Sequence, residues 1–170
     1  LKLFPGASSG NMFVDDEKTL RDIFSKTHML VCCHCEDENI IKTNTDIYRT
    51  KYGDAIPPSC HPLIRSRDAC FKSSSYIIKL AREYNTRLHI LHISTADEVK
   101  LFSCEVPVTE KKITAEACAH HLWFDDEDYE KLENLIKWNP AVKTKYDRKA
   151  LIEGVNNNYI DIISTDHAPH

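Results

Sequence analysis

Short apolar runs alternate along this chain with longer stretches in which apolar residues recur every three or four positions. The first pattern predicts buried strands and the second amphipathic helices. "LKLF" (1–4) reads as a strand and "PGASSGN" after it as a turn-rich loop. Across 15–27, Leu20, Ile23 and Phe24 fall at helical spacing behind acidic residues that suit a helix N-terminus. The continuous apolar run "HMLVCCH" (28–34) predicts a strand covered on both faces. A helix is expected over 38–53, with Ile40, Ile41, Ile47 and Tyr48 roughly in phase. A longer one is expected over 61–85, with Pro62 near its first turn. Then come a strand at 87–94, a helix at 95–105 capped by Ser94 or Thr95, and strand character over 112–124. A short helix or turn at 125–135 precedes a strand at 136–142 that stops at Pro140. A helix at 145–158 and a last strand at 159–167 complete the pattern.

Strand, loop and helix in alternation predict an α/β fold with a parallel sheet. Neither a G-x-G-x-x-G nor a G-x-x-x-x-G-K-[ST] sequence occurs, and four glycines leave little material for a phosphate-cradling loop. That argues against a nucleotide-binding doubly wound fold. At 170 residues, 42% apolar and 28% charged, the chain is one ordinary globular domain by size and balance. A net charge of −4 offers no electrostatic case for nucleic acid or an anionic membrane. No apolar run approaches the ~20 residues of a membrane span. Seven cysteines, an odd and irregular set, fit a reducing compartment such as the cytoplasm better than a disulfide framework. The chain opens without Met on one strand and closes straight after another, so it reads as an internal piece of something longer.

Candidate chemistry collects at predicted strand ends. Lys2 lies in the first strand, His34 ends the second and His92 the third. Asn139 follows the next clear strand, and Asp166 and His167 end the last. In parallel α/β folds, and in (β/α)₈ barrels especially, those ends build the active site. Singly, each has a plainer reading: a hydrogen-bonded strand-end histidine, a turn aspartate, a snorkelling lysine. Together they favour metal-assisted hydrolysis. Imidazole and carboxylate suit Zn²⁺, and an aspartate beside the attacking water can take and return its proton. Within "LVCCHCED" (30–37), Cys32 and His34 share one strand face while Cys33 and Cys35 tend to the other, which rules out a compact metal knuckle. His120 and His121, read as successive strand residues, cannot both face the site. They are expected either to support the site residues from behind or to be structural, as are His28, His61 and His89; His89 should face away from His92.

"LKLF", "HCED", "LHILHIST", "TAEACAHHL", "KWNPAVK" and "STDHAPH", in this order, resemble the dihydroorotase family of the amidohydrolase superfamily. The similarity is to its bacterial branch, with a KLF-G-S-GNM loop after strand four, and runs over essentially the whole chain. The resemblance implies a partial (β/α)₈ TIM barrel of about strands four to eight. Residues 1–170 would be the C-terminal part of one barrel domain whose strand-one H-x-H pair lies outside the chain. It further implies a centre of two Zn²⁺ ions, bridged by a carboxylated Lys2 and ligated by His34, His92 and Asp166. Asp166 would also shuttle the proton, and Asn139 and His170 would bind substrate. Asp15 or Asp16 is a rival bridge, although the local match favours Lys2. The implied activity interconverts L-dihydroorotate and N-carbamoyl-L-aspartate in pyrimidine synthesis, in a cytoplasmic enzyme, with a homodimer as a compatible assembly. Alternatives are an allantoinase- or hydantoinase-type cyclic amidohydrolase, or a non-catalytic scaffold of the same fold.

Overall fold

The computed structural model describes residues 1–6, 14 and 16–168. Asp15, His170 and the 7–13 loop expected after the first strand therefore lie outside the described residues. Five parallel strands form one sheet in chain order: β1 (Lys2–Leu3), β2 (Val31–Cys33), β3 (Leu88–Ile90), β4 (Ile113–Cys118) and β5 (Ile162–Ser164). Each addition on the same side is the winding of a (β/α) barrel, in which helical crossovers return the chain to the next strand.

The register sorts the two faces of the sheet. Leu3, Cys33, Ile90 and Ala115 form one row across β1 to β4, and Lys2, Cys32, His89 and Thr114 form the next. Successive strand residues face opposite sides, so the first row looks to one face and the second to the other. The apolar row packs under the helices. Leu20 and Phe24 come from α1 (Glu17–Lys26), Ile77 and Leu80 from α4 (Arg67–Tyr84), and Leu151 from α8 (Lys145–Asn156). All are nearly or fully buried. At about 25 cal/mol per Å² of apolar area removed from water, this layer dominates stabilisation of the fold. The polar row is left for chemistry.

Helix starts follow local capping chemistry. Asp16 accepts from Thr19 N at 2.7 Å, and Asp37, before α2 (Glu38–Tyr52), accepts from Ile40 N at 3.0 Å. Thr95 caps the short α5 (Ala96–Val99), and Thr144 with Asp147 forms a reciprocal capping box at α8. Gly6, at φ 107°, makes a parallel bridge to Glu36 beyond the β1–β2 ladder. A Cβ there would collide with the Glu36 carbonyl oxygen, so only glycine lets the two chains run this close.

Several expectations change; the helix expected over 95–105 spans only Ala96–Val99, and the strands expected over 87–94 and 159–167 shorten to Leu88–Ile90 and Ile162–Ser164. The helix read over 61–85 is interrupted: α3 (His61–Ile64) stops at Arg65, whose φ −85°, ψ 69° is not helical, and α4 restarts from the Ser66 cap. The strand read over 112–124 ends at Cys118, and 119–123 form a helix, α6 (Ala119–Trp123). No strand forms at 136–142: a short α7 (Tyr129–Leu132) and a 3₁₀ turn (Glu133–Ile136) lead into an irregular loop. Its apolar residues Ile136 and Val142 pack on Tyr129, Phe124 and Trp138 in a small separate core. Residues whose burial is met locally show strand-like hydropathy without a ladder. Among the described residues, no helix is long and apolar enough to cross a membrane.

Candidate functional site

β2 and β3 end side by side, and the chain beyond each carries a histidine. His34 N donates to Leu3 O at 3.1 Å, and Leu91 N donates to Cys33 O at 3.0 Å. Ile93 N then reaches Glu116 O at 2.9 Å. His92, between those two anchors, is held at φ 37°, in the left-handed region that non-glycine residues seldom occupy. The result brings His34 Nδ1 to 3.1 Å from His92 Nε2, with the rings at 76° to one another. Both side chains are buried.

The second nitrogen of His34 fixes its tautomer. Nε2 lies 2.9 Å from Glu36 Oε2, so the N–H sits there and Nδ1 offers its lone pair toward His92. Glu36 is fully buried and forms an ion pair with Arg65. Burial pushes the Glu36 carboxyl up, but the hydrogen bond from His34 and the charge of Arg65 outweigh it and bring it down to about 2. Burial, reinforced by the neighbouring His34, takes His92 down to about 3, so it is neutral at ordinary pH. Its Nδ1 is buried with no partner among the described residues.

Two ring nitrogens 3.1 Å apart suit one divalent ion between them. Two Zn–N bonds of about 2.0–2.1 Å at a tetrahedral angle separate their donors by roughly 3.3–3.4 Å. The outer hydrogen bond from His34 to the buried Glu36 carboxylate is the support that metal-binding imidazoles commonly have. The His34–His92 pair therefore fits a metal.

The other expected site residues are not all gathered onto that pair. Lys2 is exposed, with its ammonium 5.0 Å above the Phe4 ring, and that ring lies 5.7 Å from the His34 ring. Asp166 follows β5, exposed, at φ 45°. Among the described residues it is not gathered with His34 and His92 into one group of possible ligand atoms. Asn139 is exposed in the loop before Pro140. Asp16, the rival bridge within the described residues, caps α1 instead. All seven cysteines are free; Cys33 and Cys35 are buried in the core and Cys32 is half-buried in the polar row, so no cysteine knuckle forms around His34.

The residues that sequence reasoning passed over are buried acids and their partners. Glu36 and Arg65 support His34. Glu116 accepts from His89 Nε2 at 3.1 Å, from His92 N at 3.2 Å and from Ser164 Oγ at 2.9 Å. Burial raises the Glu116 carboxyl, and the bonds from His89 and Ser164 outweigh that and lower it. β3 stops at Ile90, so strand alternation does not extend to residue 92; the His89 ring and the His92 backbone N–H both meet Glu116, while the His92 ring turns to His34. The x-Glu two residues after His34 was the one available signal for Glu36. His61 keeps its structural reading, with Nε2 2.8 Å from Trp138 O.

Sequence relatives are dihydroorotases. The chain is 35% identical over 150 residues to dihydroorotase of Halalkalibacterium halodurans, covering 86% of this chain and 33% of that protein. It is 36% identical over 146 residues to dihydroorotase of Anoxybacillus flavithermus, covering 84% and 32%. The chain thus spans about a third of the length of the curated relatives it matches. No protein-family model matches it. Among solved structures it superposes on L-hydantoinase from Arthrobacter aurescens with a TM-score of 0.85 at 22% identity, over 98% of this chain and 37% of that one. It also matches dihydroorotase from Campylobacter jejuni with a TM-score of 0.64 at 19% identity, over 99% and 43%. These structures share the fold. Over most of its length the chain is thus similar in sequence to about a third of dihydroorotase, and it shares its fold with part of the solved L-hydantoinase and dihydroorotase structures.

Proposed function

We propose that the protein carrying this chain is a metal-dependent cyclic amide hydrolase that interconverts L-dihydroorotate and N-carbamoyl-L-aspartate, in pyrimidine synthesis. The observation that carries the reading is the buried His34–His92 pair at 3.1 Å, backed by Glu36, in a chain whose sequence relatives are dihydroorotases. His34 through Nδ1, His92 through Nε2, Asp166 and a carboxylated Lys2 would hold the ions, together with ligands from outside the chain. Zinc fits imidazole and carboxylate donors; when bound, it polarises the ring amide carbonyl and lowers the pKa of water to about 7.

The chain's own residues do the rest. Glu36 and Arg65 lock the His34 ring, and Glu116 holds the His92 backbone. In hydrolysis Asp166 takes a proton from the attacking water as the C–O bond forms. It returns that proton to the ring nitrogen as the C–N bond breaks, and cyclisation reverses the same steps. Asn139 and His170 orient the substrate. The free cysteines suit a cytoplasmic home.

A hydantoinase-type activity is the second reading, because L-hydantoinase shares the fold over 98% of this chain. The sequence relatives at 35–36% identity weigh toward dihydroorotate. Assaying the full-length protein on dihydroorotate, hydantoin and allantoin separates the two. Asp166→Ala should lower turnover about 10²–10⁴-fold with metal retained; undiminished turnover refutes the role of Asp166.

A further inference from the structure

A second group of metal-ligating side chains, made of residues other than the His34–His92 pair, lies at the junction of β4 and α6. Cys118, His120 and His121 each place one ligand atom within 4.8 Å of the others, and all three are buried. Among the described residues it is the one group of three His, Cys, Asp or Glu donors so close. We propose that Cys118, His120 and His121 bind a divalent cation of the zinc class as a site of their own. The inference does not rest on the proposed activity.

The backbone explains the convergence. β4 passes into α6 without a loop, with Cys118 at once the last strand residue and the helix N-cap. Cys118 pairs in register with Ser164, on the same strand face as Glu116, and the first turn of α6 brings His120 and His121 back toward it. His120 is oriented by stacking on Trp138, with centroids 4.3 Å apart and planes at 10°.

His121 supplies the independent sign of a ligand. Its Nε2 donates to the Pro140 carbonyl at 3.0 Å, so its Nδ1 carries a bare lone pair. That atom is buried without a partner among the described residues. A metal-bound imidazole commonly has this arrangement, one nitrogen donating to a carbonyl and the other free for the ion. An unpaired buried polar atom is otherwise costly.

The surroundings suit a cation. Cys118 Sγ is 3.2 Å from Ser164 Oγ, whose hydroxyl donates to Glu116, so the serine oxygen is free to accept from the thiol. Burial chiefly, with the charges of Glu116 and Asp166, pushes the thiol up to about 11. The negative neighbours that hinder the bare thiolate favour it once a cation is beside it, and binding would release the thiol proton to solvent. Burial brings His120 down to about 4 and His121 well below its ordinary value, so both imidazoles are neutral and able to ligate. One thiolate and two imidazoles select a borderline-soft ion over Mg²⁺ or Ca²⁺. Tetrahedral donors stand roughly 3.3–3.7 Å apart, within reach by small rotamer adjustments, and leave a fourth position to water.

Cobalt(II) titration of the full-length protein tests the site. A thiolate-to-cobalt charge-transfer band in the near ultraviolet is expected in the wild type. It should be lost in Cys118→Ser, with one ion fewer per chain, and kept in His34→Ala. Absence of the band in the wild type, or its survival in Cys118→Ser, overturns the site; its loss in His34→Ala overturns its independence. Should Cys118→Ser not fold, zinc-edge X-ray absorption of the wild type decides, because a shell without sulfur overturns the proposal. Turnover on dihydroorotate reads the proposed function separately, so either claim can fail alone.

Discussion

His34 and His92, 58 residues apart in sequence, meet with Nδ1 and Nε2 3.1 Å apart at the ends of two adjacent parallel strands. Neither ring could be placed there alone: β2 and β3 share a register, and the left-handed His92 backbone turns its ring toward His34. If this pair holds an ion, His34→Ala and His92→Ala should each lower zinc content by about one ion per chain. Turnover should fall by at least about 10²-fold in both. Plasma mass spectrometry on protein checked for native circular dichroism measures the loss.

Glu36 holds the outer nitrogen of His34 and is itself held by Arg65. Glu36→Gln keeps the volume but removes the charge, so the imidazole becomes a weaker and looser ligand. Zinc affinity, measured by chelator competition, should fall about 10–100-fold. An unchanged affinity would mean that Glu36 only neutralises Arg65.

Asp147 ties the start of α5 to α8. It is fully buried; Oδ1 accepts from Ala96 N at 2.9 Å and pairs with Arg67 at 2.8 Å, while Oδ2 accepts from Thr144 Oγ1 at 2.6 Å. Asp147→Ala strips partners from Arg67 and from two backbone segments at once. A loss of about 1–3 kcal/mol is expected in urea unfolding, the cost of leaving buried donors unsatisfied, since Arg67 is partly exposed and keeps Asp97. A loss below about 1 kcal/mol would show that solvent replaces these bonds.

His61 predicts a pH dependence. Burial chiefly, with the nearby charges of Arg65, Lys137 and Lys143, lowers it from 6.5 to about 4, against the opposing hydrogen bond to Trp138 O. The unfolded chain then binds a proton between pH 6.5 and about 4 that the folded chain refuses. Stability is therefore unaffected by this residue above pH 6.5 and falls on acidification through that window, by up to about 1.4 kcal/mol per pH unit. His61→Gln can still donate to Trp138 O but does not titrate. Its urea midpoint should drop less between pH 7 and pH 5 than that of the wild type.

Much of the fold was legible because it is local. The alternation of strand and helix, the acidic start of α1, the Thr95 cap and the strands that end shortly before His34 and His92 all follow from neighbours within a few residues. The same local reading failed where tertiary contacts supplied the burial. Ile136 and Val142 look like a strand but fill a small core without a ladder, and the 61–85 helix breaks at Arg65, whose guanidinium reaches the buried Glu36.

By itself the sequence determined the order of elements and the residue types at the strand ends, because periodicity and capping are properties of adjacent positions. Only the tertiary structure decided which of those residues meet. It joined His34 to His92, and gathered His89, His92 and Ser164 on Glu116. It also turned 119–123 into a helix that brings His120 and His121 beside Cys118. Such meetings depend on strand register, on one backbone angle at His92 and on which nitrogen a buried carboxylate or carbonyl occupies, none of which is written in the spacing of residues along the chain.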